Sequence, residues 1–283
     1  MLIGIITSAY FRYDDYEGGF KKMREHGYTC ADYQDLANKN DPTFKLDEQE
    51  YAKYLTKIGK CAEQNGIKIT QLHGLWPSDE SDEEIVKQEL EVFKKQIRGA
   101  RYLNCEKVVC HTGAPFGWGE EKDPFKTYAF NIERFDILSK YAADFGVTVC
   151  VENLPFIGVP SVSTVKSVKK IVREIDRENL KVCLDVGHAN VFNDDIGEDI
   201  RLLGDDLAAL HIHDNRGRSD DHLLPYQGNV KWAEFLKALK DIDYKGDFTL
   251  ETSIPVNMPE PAREEMRRGL FALAKSMAGS VGI

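Results

Sequence analysis

Several familiar features are missing from this 283-residue sequence. No stretch approaches the roughly 20 apolar residues that span a bilayer. Met1 to Thr7 carries no basic segment and only a short apolar run, which argues against a cleaved signal peptide and makes the cytoplasm the default location. The six cysteines (Cys30, Cys61, Cys105, Cys110, Cys150 and Cys183) form no C-x-x-C pair, so a zinc knuckle and a thioredoxin-like motif are both excluded. Reduced thiols packed as small hydrophobes are expected instead. Basic charge is also short: 37 Lys plus Arg against 47 Asp plus Glu give a net charge of −10. A general nucleic-acid or anionic-membrane binder needs a basic face, so neither partner is expected. There is no Pro/Ser-rich linker and no low-complexity segment. Where a dinucleotide-binding fold would place its glycine-rich turn, after the first apolar run, the chain reads Thr7-Ser8-Ala9-Tyr10.

What is present is ordinary globular composition, 42% hydrophobic and 10% aromatic, which excludes disorder. Eight short β-branched runs recur along the chain: Leu2–Thr7, Tyr28–Tyr33, Ile67–Leu72, Lys107–His111, Val147–Glu152, Lys181–Asp185, Ala208–His213 and Phe248–Thr252. Between them lie amphipathic stretches of helical spacing, Glu48–Gln64, Asp82–Ala100, Phe125–Phe145, Thr164–Asp176, Val230–Ile242 and Glu260–Met277, with weaker signals over Tyr16–His26 and after Asn190. Gly27, Gly66, Gly146 and Gly246 each stand just before a run, where a glycine ending a helix is expected. Length alone suggests about two domains, yet single (β/α) barrels commonly reach about 250 residues. Eight strand-then-helix repeats without a linker predict one (β/α)8 TIM barrel over residues 1–283; a doubly wound sheet is the runner-up.

The position of the histidines is the sharpest signal. Six of seven (His73, His111, His188, His211, His213 and His222) fall at the carboxyl end of a predicted strand or in the loop after it. That end is the active-site face of a barrel. Glu152, Asp185 and Glu251 close strands five, six and eight, so three carboxylates converge on the same mouth. Alternation places Cys150 and Cys183 two residues below Glu152 and Asp185 on the inward face, forming an apolar floor. Buried carboxylates must be protonated, paired or metal-bound. No Lys or Arg lies within these strand-end motifs, which favours a divalent metal held by Glu152, Asp185, His211 and Glu251. Taken singly, Glu251 reads equally as a structural acceptor and Asp185 as a turn or N-cap residue. A structural role for His213 is at least as well supported, and His26 reads as an ordinary helix-end residue.

Other candidates lie in the loops. The segment Gly113-Ala-Pro-Phe-Gly117-Trp-Gly119 matches no phosphate-binding fingerprint and reads as an active-site loop. Trp76, Phe116, Trp118 and Phe156 either wall a sugar-sized pocket or pack the loops. Arg216 and Arg218 follow strand seven, where barrels often hold phosphate, though solvated arginines are common in loops.

In order along the chain, Leu72-His73-Gly74, Cys110-His111-Thr112-Gly113, Val151-Glu152-Asn153, Leu184-Asp185-Val186-Gly187-His188, His211-Ile212-His213-Asp214, Asp220-Asp221-His222-Leu223-Leu224-Pro225 and Leu250-Glu251-Thr252 resemble the xylose-isomerase-like TIM-barrel superfamily. That superfamily holds sugar phosphate isomerases, ketose 3-epimerases and the endonuclease IV branch. The resemblance to ketose 3-epimerases implies one divalent ion (Mn, Co, Mg or Zn) on Glu152, Asp185, His211 and Glu251. Glu152 and Glu251 would double as the acid/base pair, and His188 with Arg216 or Arg218 would bind substrate oxygens. His73, His111, His222 and Trp118 complete the expected substrate-binding set. The implied reaction is isomerisation or epimerisation of a small sugar, polyol or sugar phosphate through an enediolate, with dehydration available from the same intermediate. The oligomeric state, monomer or homo-oligomer, is left open.

The endonuclease IV branch supplies the competing reading, a zinc phosphodiesterase. Its three-zinc pattern also finds matches: His73, His111 and Glu152; Glu152, Asp185, His211 and Glu251; His188, Asp220 and His222. Against it stand the net charge of −10 and the acidic run Ser78-Asp-Glu-Ser-Asp-Glu-Glu84 after strand three. One divalent ion against three carboxylates leaves the site near −1, suited to a polyhydroxylated ligand. Two more zinc ions would turn it positive and favour a phosphodiester.

Overall fold

A computed structural model describes residues 1–11, 15–76, 82–117, 122–192 and 195–280. Eight parallel strands form the barrel: β1 (Ile3–Ile6), β2 (Cys30–Tyr33), β3 (Lys68–His73), β4 (Lys107–His111), β5 (Thr148–Glu152), β6 (Leu180–Asp185), β7 (Leu207–His211) and β8 (Phe248–Leu250). Each of β1 to β6 pairs with the next in sequence, and β1 also pairs with β8, which leaves one seam between β7 and β8. The last seam is thin. Ile212 bridges Leu250, its N–H donating to Thr249 O at 2.9 Å while Glu251 N–H donates to Ile212 O at 2.9 Å. The runner-up doubly wound sheet is thereby excluded, because its sheet would have two open edges.

Helices separate the strands: α1 (Tyr16–His26), α2 (Glu48–Gln64), α3 (Glu83–Tyr102), α4 (Pro124–Ala143), α5 (Pro160–Ser163), α6 (Val165–Ile175), α7 (Val186–Val191), α8 (Ile196–Leu203), α9 (Trp232–Asp241) and α10 (Glu260–Ser280). The two weakest expectations therefore hold: Tyr16–His26 is α1 and the stretch after Asn190 holds α8, with the short α7 preceding it. Caps explain where several helices start. The side chains of Asp47, Asp82, Asp123, Thr164 and Asp195 accept backbone N–H groups in the first turns of α2, α3, α4, α6 and α8. The acidic residues Asp82 to Glu84 thus begin a helix; residues 77–81 of that acidic run lie outside the described residues.

The helix-ending glycine holds at three of four positions. Gly27, Gly66 and Gly146 have φ of 106°, 72° and 64°, and each is followed by an N–H that reaches back five residues to a helix carbonyl. Gly246 is a correction. Asp243 (φ 53°) takes the left-handed position after α9, while Gly246 leaves room for the Tyr244 ring, whose Oη would lie 2.2 Å from an added Cβ.

The main core lies between the strands and the helical ring. A second, small cluster of fully buried residues fills the barrel itself: Val109, Cys150, Cys183 and Ala209, on four successive strands. Each stands two residues before His111, Glu152, Asp185 and His211. Period-two alternation therefore stacks one polar layer directly on one apolar layer, as the positions of Cys150 and Cys183 led us to expect.

Candidate metal centre and active site

Parallel register delivers the polar layer. Glu152 lies opposite Cys183 and beside His111, and Asp185 is level with His211. Ligand atoms of Glu152, Asp185, His211 and Glu251 all fall within 4.8 Å of one another. All four residues are buried. His211 Nδ1 is the hub, 2.9 Å from Glu152 Oε1 and 3.0 Å from Glu251 Oε2. Glu152 Oε2 is 3.1 Å from His111 Nε2. The Oε2 atoms of Glu152 and Glu251 nevertheless lack hydrogen-bond geometry with any partner.

Several histidines commit one ring nitrogen to fixed acceptors and turn the other toward the mouth. His111 Nδ1 faces Leu75 O at 3.2 Å, His188 Nδ1 faces Asn153 O at 2.8 Å and His222 Nδ1 faces Glu251 O at 2.8 Å. The opposite nitrogens of His188 and His222 meet Asp220 Oδ2, at 3.3 and 3.0 Å. His222 holds a left-handed backbone, φ 47°, an uncommon conformation for a residue with a side chain.

Charge balance follows from these contacts. Burial alone would raise the Glu152 carboxyl, but the His211 and His111 imidazoles hold it well below the usual carboxylate range. Glu251 is lowered in the same way by His211 and His73. Burial opposes protonation of His188, yet Asp185 and Asp220 push it up to about 10. Asp220 similarly pushes His222 up to about 9 against its burial. At the mouth, imidazole neighbours thus favour the charged forms of Glu152 and Glu251.

Of the expected site residues, the structure brings Glu152, Asp185, His211 and Glu251 into one cluster, His73 and His111 into a second with Glu152, and His188, Asp220 and His222 into a third. Asp185 is both cluster member and cap, accepting the His188 N–H at 2.6 Å at the start of α7. Arg216 and Arg218 are exposed, and neither guanidinium pairs with a cluster residue. Trp76, after β3, packs over the His111 ring at 4.4 Å and against Phe156, after β5, at 5.8 Å. Trp118 lies outside the described residues. His26 is buried at the end of α1, between the Tyr10 hydroxyl (2.7 Å) and Glu264 of α10 (2.9 Å).

Two residues matter more than their sequence context suggested. His213 joins the third cluster, and its Nε2 lies 3.0 Å from both oxygens of Asp185. Gly187 makes room for it, since a Cβ there would sit 2.0 Å from His213 Cε1. Asp32, on β2, is fully buried with Oδ2 3.1 Å from His73 Nδ1. It belongs to a fourth group with His73 and His211. The strand-end rule applied to Cys30-Ala31-Asp32-Tyr33 would have found it.

Fold and site together define a parallel (β/α)8 barrel with a carboxylate and histidine cluster at the carboxyl ends of its strands. The chain belongs to the xylose isomerase-like TIM barrel family, whose model matches residues 20–272. A D-psicose 3-epimerase of Agrobacterium fabrum is 26% identical over 204 residues, covering 70% of this chain and 68% of that protein. A crystal structure of D-psicose 3-epimerase in the presence of D-fructose superposes with a TM-score of 0.81 at 20% identity, covering 99% of this chain and 100% of that one. The IOLI protein with a bound zinc atom superposes with a TM-score of 0.75 at 19% identity, covering 99% and 98%. No helix among the described residues is long and apolar enough to cross a membrane.

Proposed function

We propose that the protein is a divalent-metal-dependent isomerase or epimerase of a small sugar, polyol or sugar phosphate. The observation that carries this reading is the convergence of Glu152 and Glu251, from opposite parts of the barrel, on one nitrogen of His211. The residues fit a cation. Three carboxylates and one imidazole nitrogen, with two buried oxygens lacking hydrogen bonds, form a donor set suited to Mn, Co, Mg or Zn. The psicose epimerase relative and the zinc-bound neighbour support the same class.

Glu152, Asp185, His211 and Glu251 would hold the ion, which supplies electrophilic polarisation of a substrate carbonyl and its neighbouring hydroxyl. The chain's own groups do the rest. A glutamate kept ionised by neighbouring imidazoles accepts the proton of the carbon beside the carbonyl, leaving an enediolate. The second glutamate, ionised at rest, takes up a proton from solvent water and passes it to the opposite face, which inverts that carbon; return of the proton to the adjacent carbon isomerises instead. In this reading His73, His111, His188 and His222 would bind substrate oxygens, Arg216 or Arg218 would meet a phosphate, and Trp76 with Phe156 would exclude water from one wall.

The test is elemental analysis for bound metal, followed by a panel of ketoses and ketose phosphates with each ion, products separated by chromatography. Conversion of at least one sugar pair, abolished by chelator, is expected; a metal-loaded protein that converts none overturns the reading. A second reading, a zinc phosphodiesterase, is favoured by the additional clusters of His73, His111 and Glu152 and of His188, His213, Asp220 and His222. It requires about three zinc ions per chain and cleavage of abasic-site DNA.

A further inference from the structure

We infer that Asp32 is a positioning residue that sets the proton arrangement of His211 and His73, and so pre-forms the metal centre. The inference rests on the metal reading above. For His211 to ligate a cation beside Glu152 and Glu251, Nδ1 must present its lone pair, because that is the nitrogen those carboxylates face. A neutral ring with a free Nδ1 must carry its proton on Nε2. That nitrogen is buried and has no hydrogen bond of ordinary geometry. The carboxylate facing it is Asp32, whose Oδ2 lies 3.4 Å away.

The same oxygen takes the Nδ1–H of His73 at 3.1 Å. The His73 and His211 rings stack, with centroids 5.0 Å apart and planes 8° from parallel. One oxygen thus addresses the edges of two stacked rings. Asp32 is fully buried, and its Oδ1 has no hydrogen-bond partner. A carboxylate at this depth is retained at a solvation cost that the two imidazole edges facing it offset.

A carboxylate behind a metal-bound imidazole fixes the tautomer and ring orientation and makes the liganding nitrogen more basic. Here it also couples two places. His211 belongs to the cluster with Glu152, Asp185 and Glu251, and His73 to the cluster with His111 and Glu152. Asp32 therefore joins the main centre to the neighbouring one from behind, on the side away from the mouth.

The experiment compares zinc binding by the full-length protein and Asp32→Asn, using chelator competition for affinity, elemental analysis for stoichiometry and nitrogen-15 NMR of the zinc-loaded histidines. Asp32→Asn is expected to keep the wild-type stoichiometry and to bind zinc about 10- to 100-fold more weakly. The His211 Nε2–H resonance should be downfield in wild type, and should move upfield and exchange faster in the variant. A merely structural aspartate would leave that resonance in place. Equal zinc affinity with an unmoved resonance overturns the inference alone. Loss of one zinc equivalent without weakening of the rest also overturns it, because Asp32 would then be a ligand. Failure of the wild-type protein to bind any divalent ion overturns the proposed function and this inference together.

Discussion

Replacing Glu152 by Gln separates chemistry from scaffold. The substitution keeps the shape of the side chain and removes one negative charge that lies 2.9 Å from His211 Nδ1 and 3.1 Å from His111 Nε2. Loss of a general acid/base group costs about 10²- to 10⁴-fold in turnover, equivalent to about 3–5 kcal/mol of barrier. Because Glu152 belongs to two clusters, weaker metal binding adds to that loss. The barrel should survive, since Gln keeps the volume of the side chain and the strands on either side of β5 are held by their backbone ladders. The informative assay is deuterium exchange from heavy water with each of two epimeric substrates. Wild type exchanges and inverts both. With Glu152→Gln, the glutamate that remains can take and return a proton on one face only, so exchange persists for one epimer and inversion is lost for both. Glu251→Gln gives the mirror result. Turnover within tenfold of wild type in both variants, with metal bound, refutes the paired-glutamate reasoning.

Other consequences are more local. Gly187→Ala places a Cβ 2.0 Å from His213 Cε1. Overpacking of that kind costs about 1–3 kcal/mol, so thermal unfolding should fall by several degrees, and His213 should be driven off Asp185. Asp206 is held below its ordinary value by Lys169, Arg173 and Lys181, against the effect of burial. A depressed carboxyl contributes stability above its unfolded pKa that is lost as pH falls through the folded one. Asp206→Asn should therefore lower the melting temperature at neutral pH, and the gap to wild type should close below about pH 4. Five cysteines are buried and Cys61 is partly exposed. A thiol reagent should titrate one group in the native protein and six in denaturant; fast reaction of several native thiols would contradict the packed barrel interior.

Much of the fold was legible because its periods are simple. The eight apolar runs fall on the eight strands, displaced by a few residues at their ends, since a strand boundary depends on which backbone groups find partners. The C-terminal edge of β8 shows why. The apolar run extends to Thr252, but the ladder ends at Leu250, and only the Ile212 bridge closes the seam. At Gly246 the sequence rule chose the wrong residue, because Asp243 takes the left-handed position at the end of α9. In the site, Glu152, Asp185, His211 and Glu251 could be read from strand ends alone. Asp32 stands at the end of β2 in the same way, and its role shows only through the histidines of β3 and β7 that it meets, which are far from it in the chain.

By itself the sequence determined which side chains face the barrel axis and at which end they stand. Alternation along a strand is a property of each strand alone, so Cys150 under Glu152 and Cys183 under Asp185 follow without knowing the neighbours. Tertiary structure decided who meets whom. The stagger between adjacent strands and the closure of the barrel bring Asp32 of β2 to His211 of β7, and Glu251 beyond β8 to the same ring. Those contacts join residues far apart in the chain. They depend on register across eight strands, which no local pattern encodes.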